Sequence, residues 1–196
     1  AQIRDRPNAT LYHRAKLFLA PLDATRLSSM EEAFMSSLAQ RLPGVKPSAR
    51  AYVTFLNRLR ADTFDAFVDR MQRGGPELTT EELQAVANYI NVATGRGNLG
   101  KAAASAETLA AVFFSPRLVA SRFQLLAAQP FWAGNSSRVR RAVAGEYAKF
   151  LAGMAVVYAL GGMAGASVSF DPTSPDFGKL RFGDTRVDLL GGLAQV

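Results

Sequence analysis

Residues Phe150–Phe170 form a run of 21 consecutive side chains without a charge, and this run limits the chain more than any other feature. About 20 apolar residues are what a helix needs to cross a bilayer, and in water such a helix needs a long apolar surface to lie against. Alanine and glycine dominate the run, and strongly apolar side chains fill only roughly half of it, which makes membrane insertion marginal. Its small residues recur at helical spacing. Gly161 and Gly165 form G-x-x-x-G, Ala155 and Ala159 repeat that spacing, and Gly153 adds a further small residue two positions before Ala155. Small residues four apart let helix backbones approach closely. Arg138, Arg140, Arg141 and Lys149 precede the run, so its basic flank is N-terminal. The run reads first as a helix packed at a protein–protein seam and second as a conditional membrane segment.

Upstream, capping residues and helix breakers divide the chain into further helices. Residues 1–22 are a lead-in segment. Ser29 with Glu32 is a capping box ahead of Met30, Phe34, Leu38 and Leu42, and Pro43-Gly44 closes that helix. Pro47 suits the first turn of a longer helix with an apolar stripe through Tyr52, Leu56, Leu59, Phe64, Phe67, Val68 and Met71. Thr79 with Glu82 is a second capping box, opening a helix through Leu83, Val86, Tyr89 and Ile90 that closes near Gly95. Ala102–Phe114 reads as helix, and Ser115-Pro116 is an N-cap with proline first, restarting helix over Arg117–Ala128 until Pro130 breaks it. Ser136 or Ser137 caps the long helix, which runs to about Ala166. The period then changes to two: Val168 and Phe170, Leu180 and Phe182, and Val187 and Leu189 alternate with other residues, and Gly183-Asp184 suits a hairpin turn with glycine first. The expected fold is mainly α, a multi-helix assembly with a small C-terminal antiparallel β-hairpin. Its expected segments are 1–46 (lead-in and short helix), 47–135 (helical domain) and 136–196 (long apolar helix plus hairpin).

The residues that could carry chemistry are few. Without cysteine there is no disulfide, thiolate nucleophile or thiolate metal site, and His13 is the single histidine. Gly95-Arg96-Gly97-Asn98-Leu99-Gly100 matches G-x-G-x-x-G, but a helix precedes it where a dinucleotide site needs a strand, so it reads as an inter-helix loop. Asp62, Asp65 and Asp69 share a helix face, with Arg58 and Arg70 close enough in sequence to pair them, so a solvated face is preferred to a metal site. No catalytic residue, metal or cofactor is expected. The net charge of +7 favours acidic partners such as nucleic acid or anionic lipid. The chain starts at Ala1 and stops at Val196 without a tail, which reads as a piece cut from a longer polypeptide.

Four blocks together resemble a known family. They are Ser48–Tyr52 with Phe55–Asp62, Ile90–Gly100, Phe114–Arg122, and Asp171–Lys179 with Gly183–Arg186. The combination resembles the domain associated with large polyvalent proteins of tailed bacteriophages, over about residues 45–190. The resemblance implies a non-enzymatic structural domain of an internal virion protein that leaves with the DNA and oligomerises into a ring or conduit. Its implied partners are further copies of itself, other virion proteins, DNA, and the bacterial membrane, and its implied location is the virion and then the host envelope. On this reading Gly153, Ala155, Ala159, Gly161 and Gly165 allow close helix approach, while Arg117, Arg122, Arg138, Arg140 and Arg141 meet neighbours or DNA. Two alternatives remain open: a module that inserts into the envelope, and a helical scaffold joining the enzymatic modules of a giant chain.

Overall fold

Helix starts written into the sequence are met where the structure describes them. The structure is a computed structural model that describes residues 3–20, 45–73, 75–101, 115–134 and 136–189. The expected helices over residues 30–42 and 102–114 lie outside the described residues. Among the described residues there are six helices, α1 (Ala9–Arg14), α2 (Val45–Gln72), α3 (Thr80–Ala93), α4 (Pro116–Leu126), α5 (Gln129–Trp132) and α6 (Ser137–Met163). A three-stranded antiparallel sheet follows, β1 (Ser167–Val168), β2 (Lys179–Phe182) and β3 (Thr185–Asp188), in the order β1-β2-β3. The protein is thus mainly helical, with a small sheet at its C-terminal end. The chain divides into two compact units, residues 1–143 and 144–196.

In the first unit, the Thr79 hydroxyl accepts from Glu82 N–H and the Glu82 carboxylate accepts from Thr79 N–H, which together form the capping box. Ser115 caps α4 by accepting from Leu118 N–H. As expected, α4 stops short of Pro130, at Leu126. The left-handed Ala128 (φ +50°) turns the chain into a separate short helix, α5, in whose first turn the missing N–H of Pro130 has no helical partner to lose. The core comes from Phe64, Phe67, Val68 and Met71 of α2, Leu83, Val86 and Ile90 of α3, and Val139 and Val143 of α6. Deep in α2 the apolar stripe is as expected. Nearer its start the inner face is Val53, Asn57, Arg60 and Ala61, while Tyr52 and Leu59 are exposed. Two polar residues are therefore buried where Leu59 was expected.

In the second unit, the helix ends earlier than hydropathy suggests. Gly165 N–H donates to Gly162 O and Ala166 N–H to Gly161 O, and Gly165 takes φ +89°. This is a Schellman closure, which needs a left-handed residue and so favours glycine. The uncharged run is split by it: 150–163 is helix, and Ser167-Val168 returns as β1, paired with Leu180 and Arg181. The turn Gly183-Asp184 joins β2 to β3, with Gly183 at φ +57° and Phe182 opposite Thr185. The expected hairpin is present, and β1 extends it to three strands.

Candidate functional site

The second unit is an apolar helix with a cover on one side only. Met154, Tyr158 and Gly161 are spaced by four and three residues and share a face. The Tyr158 hydroxyl donates to Gly178 O, and the Tyr158 and Phe170 rings meet edge-on with centroids 6.3 Å apart. A Cβ built on Gly161 would fall 2.5 Å from Cδ2 of the buried Leu180, so the absence of a side chain there is what lets β2 close onto the helix. The remaining circumference is bare. Leu151, Val156 and Val157 are exposed, Leu160 is 58% exposed, and Met163 is 85% exposed. A monomer seldom leaves contiguous apolar surface of this extent open, and where it does the surface is a place of contact.

The five small residues fall into two groups. Gly153, Ala155 and Ala159 are exposed on the open side of α6, and nothing lies within 4 Å of a Cβ added to Gly153. Gly161 faces the chain's own β2, and Gly165 lies past the helix end. The helix therefore does not carry Gly161 and Gly165 as a two-member seam. The packing helix of the sequence reading has its cover on one face alone, and the open faces lack one within the described chain. A membrane crossing by one continuous helix over 150–170 is likewise not formed. The uncharged helical part, 14 residues from Phe150 to Met163, is about 21 Å long, against a hydrocarbon core of about 30 Å. With its charged first half included, α6 is long and apolar enough overall to span.

The basic residues belong to the first unit and are largely engaged there. Arg138 donates to Glu82 at 2.8 Å and to Pro76 O at 3.0 Å, and Arg140 Nε donates to Gly134 O at 2.8 Å. Arg117 and Arg122 are half-buried on α4, and Arg141 is exposed. Burial works against ionisation of Glu82, but hydrogen bonds from Arg138, the Ser136 hydroxyl and Thr79 N–H outweigh it and hold the carboxyl down at about 2. This knot ties the start of α3 to the start of α6. Charge is divided unequally as well. Residues 1–143 hold nineteen Lys/Arg against eleven Asp/Glu, or +8, and residues 144–196 hold four against five, or −1. The basic half and the apolar half of the chain are different units.

The other sequence candidates are accounted for by structure. Gly95 takes φ +85°, and Gly97 N–H donates to Arg117 O at 3.0 Å, with the backbone of Ala120 and Ser121 where a Cβ would stand. The loop is thus pinned to α4, and Gln124 clamps it by exchanging hydrogen bonds with both main-chain groups of Asn98. Asp62 and Asp65 are paired, but chiefly with Arg6, at 2.6 and 3.1 Å, and Asp65 also accepts from the Tyr12 hydroxyl. Arg58 is the weaker partner of Asp62, at 3.7 Å. No group of three or more metal-ligating side chains occurs among the described residues. His13 is exposed at the end of α1. Compared with known proteins, the chain matches no family model, no curated protein and no solved structure.

Proposed function

We propose that the chain is a non-enzymatic structural module that assembles with further copies of itself through the open side of α6. The observation that carries this is the exposure of an uncharged helix, Phe150–Met163, on every face except the one under the sheet. Lipid is the weaker occupant for three reasons: the uncharged helix is too short to span, the chain turns back into β1 just past it, and its unit carries −1 rather than a charge that anionic headgroups would attract. Other copies of α6 suit it better, because Ala155 and Ala159, one turn apart on the same face, leave room for a neighbouring backbone while Leu151 and Val156 supply area on either side. The setting that the phage resemblance implies, an internal virion protein forming a ring or conduit with other virion proteins and DNA, is part of this proposal. The positive first unit would face the DNA.

Sedimentation of the full chain and of Leu160→Asp tests the assembly. The wild type is expected to form a concentration-dependent oligomer and the variant a monomer with unchanged helicity; a monomeric wild type at high concentration would sink the reading. Peptide mass spectrometry of phage particles before and after DNA release tests the setting. Peptides present in full particles and lost from emptied ones support ejection, and their absence from both removes the virion. The membrane reading retains one observation in its favour, the length and composition of α6 as a whole. Flotation with liposomes decides it: wild type rising with the vesicles and Val157→Asp staying behind would put lipid ahead of a second copy.

A further inference from the structure

The segment Lys16–Ala20 has no helix or strand of its own, yet its main chain is satisfied almost residue by residue by side chains of α2 and α3. Asn91 accepts from Phe18 N–H at 2.9 Å and donates to Lys16 O at 3.1 Å. Asn57 accepts from Ala20 N–H at 2.9 Å and donates to Ala20 O at 2.7 Å. Arg60 reaches Phe18 O, and the Phe18 ring meets two guanidinium groups, Arg96 at 3.6 Å and Arg60 at 5.2 Å from its centroid. A carboxamide presents one acceptor and one donor side, which matches a peptide unit, and an extended chain offers that unit on the same side at every second residue. Phe18 and Ala20 are the residues read in this way, and Lys16, in a turn at φ +58°, offers its carbonyl just before them. Sequence-neutral main-chain contacts combined with one aromatic anchor are how proteins hold an extended peptide in trans.

The groove also requires an occupant. Asn57 is 4% exposed and both of its hydrogen bonds go to Ala20, so without the segment its carboxamide would lose both partners. Arg60, 2% exposed, is held chiefly by the Thr94 hydroxyl and carbonyl at 2.8 and 3.2 Å and adds Phe18 O at 3.4 Å. Nothing in the contacts requires that the occupant come from the same chain. The arm Ile3–Ala20 makes its polar contacts with α2 and α3, to which it is joined through residues 21–44. With the helix expected over residues 30–42, covalent geometry still lets those 24 residues reach about 55 Å. The same hydrogen bonds form with a neighbour's arm, and exchange of an identical element is a low-cost route to association. We infer that this groove is an interaction surface for the arm of a second copy, so that chains in contact exchange Ile3–Ala20. The inference goes beyond the assembly reading and concerns a different surface.

Cross-linking tests it, and the absence of native cysteine makes the chemistry clean. Arg14 and Thr80 are both exposed and are hydrogen-bonded to each other at 3.1 Å. Full-length Arg14→Cys, carrying an affinity tag, and untagged Thr80→Cys are unfolded together, refolded at high concentration and treated with a short bis-maleimide. The Arg14→Cys/Thr80→Cys double variant shows that the pair is within reach. Tagged heterodimers are expected, with a yield at least about tenfold lower when the arm-donating chain also carries Phe18→Ala, which removes the ring between the two arginines. The same experiment in a Leu160→Asp background separates the arm from α6, and heterodimers in either background support exchange. Efficient cross-linking within the double variant with no heterodimer in either background overturns it, and sedimentation can still uphold or reject the α6 assembly independently.

Discussion

On α2, Asn57 and Arg60 are buried polar side chains on the same face as Val53, Ala61 and Phe64; on α6, Leu160 and Met163 are apolar side chains left bare. Both depart from the rule that apolar groups go inside, for opposite reasons. The α2 groups are buried because each is hydrogen-bonded, Asn57 to Ala20 of the arm and Arg60 to Thr94 with a longer bond to Phe18 O, which removes most of the cost of desolvation. The α6 groups stay exposed because three short strands cover one face of the helix and no more. The buried polar groups of the first unit are therefore satisfied by its own chain, although that unit also exposes Phe55, Phe123, Leu126 and Trp132, while the second unit leaves most of its uncharged helix open. Substitutions should separate the two.

The largest separation is expected from equivalent truncations in the two units. Phe64 is fully buried and meets Tyr12 edge-on at 5.6 Å, so Phe64→Ala should cost about 3–5 kcal/mol of stability in chemical denaturation. Leu160→Ala should change the stability of the monomer by less than about 0.5 kcal/mol while weakening the oligomer. Equal losses in dilute monomer would break the comparison, since they would mean that Leu160 is already packed.

Two glycines on α6 give the next test. At Gly161 an added side chain meets Leu180, so Gly161→Val should cost about 1–3 kcal/mol, felt in the second unit only. At Gly153 the space is open, so Gly153→Ala should stabilise the helix by about 0.5–1 kcal/mol. Hydrogen exchange of the β2 amides against those of α3 shows where each effect falls. If Gly161→Val loosens α3 as much as β2, the two units do not behave separately.

Much of this architecture could be read from local signals. The Thr79–Glu82 box, the Ser115 cap and the Gly183-Asp184 turn each depend on residues within four positions of one another, and all three form. The end of α6 was harder to see. Hydropathy continues unbroken through Gly165 to Phe170, and only the backbone conformation at Gly165 separates helix from strand. The burial of Asn57 and Arg60 had no local signal, because their partners are remote: Ala20 lies 37 positions before Asn57, and Thr94 and Phe18 lie 34 positions after and 42 before Arg60. Separations of 53 to 59 positions likewise hid Arg6 and Tyr12 as partners of Asp62 and Asp65, for which the sequence offered only Arg58 and Arg70. For the candidate surface, the uncharged run was legible and its exposure was not, since periodicity can show which face of a helix is buried only when a helix has an apolar side and a polar one.

Acid should weaken the first unit more than the second. Glu82 titrates at about 2 in the folded chain against an ordinary 4.5, so its contribution is complete above the ordinary value and fades as the pH falls from there toward 2. Allowing for solvent screening, about 1–2 kcal/mol is at stake. Thermal unfolding at pH 5 and pH 2.5 should show a wide gap between wild type and Arg138→Met at the higher pH and a narrow one at the lower. A gap independent of pH would mean that Arg138 acts by packing its stem rather than by its charge.

The smallest effect tests how the arm is held, and it has the opposite pH sign. Tyr12 is buried, and burial together with the Asp65 carboxylate, which accepts its hydroxyl at 2.8 Å, pushes the phenol up to about 12. A raised folded pKa means that the protonated hydroxyl's contribution is intact below the ordinary value of 10 and is lost as the pH climbs from there through about 12. Tyr12→Phe keeps the ring against Phe64 and removes only the hydrogen bond, so it should cost about 0.5–1.5 kcal/mol at neutral pH. Denaturation at pH 7 and pH 11.5 should show that cost shrinking with alkali, because the wild type then loses what the variant never had. If the variant also doubles the rate at which arms exchange between tagged chains, the hydroxyl works as a latch on the arm; an unchanged rate would leave that role to Asn57, Asn91 and the two arginines around Phe18.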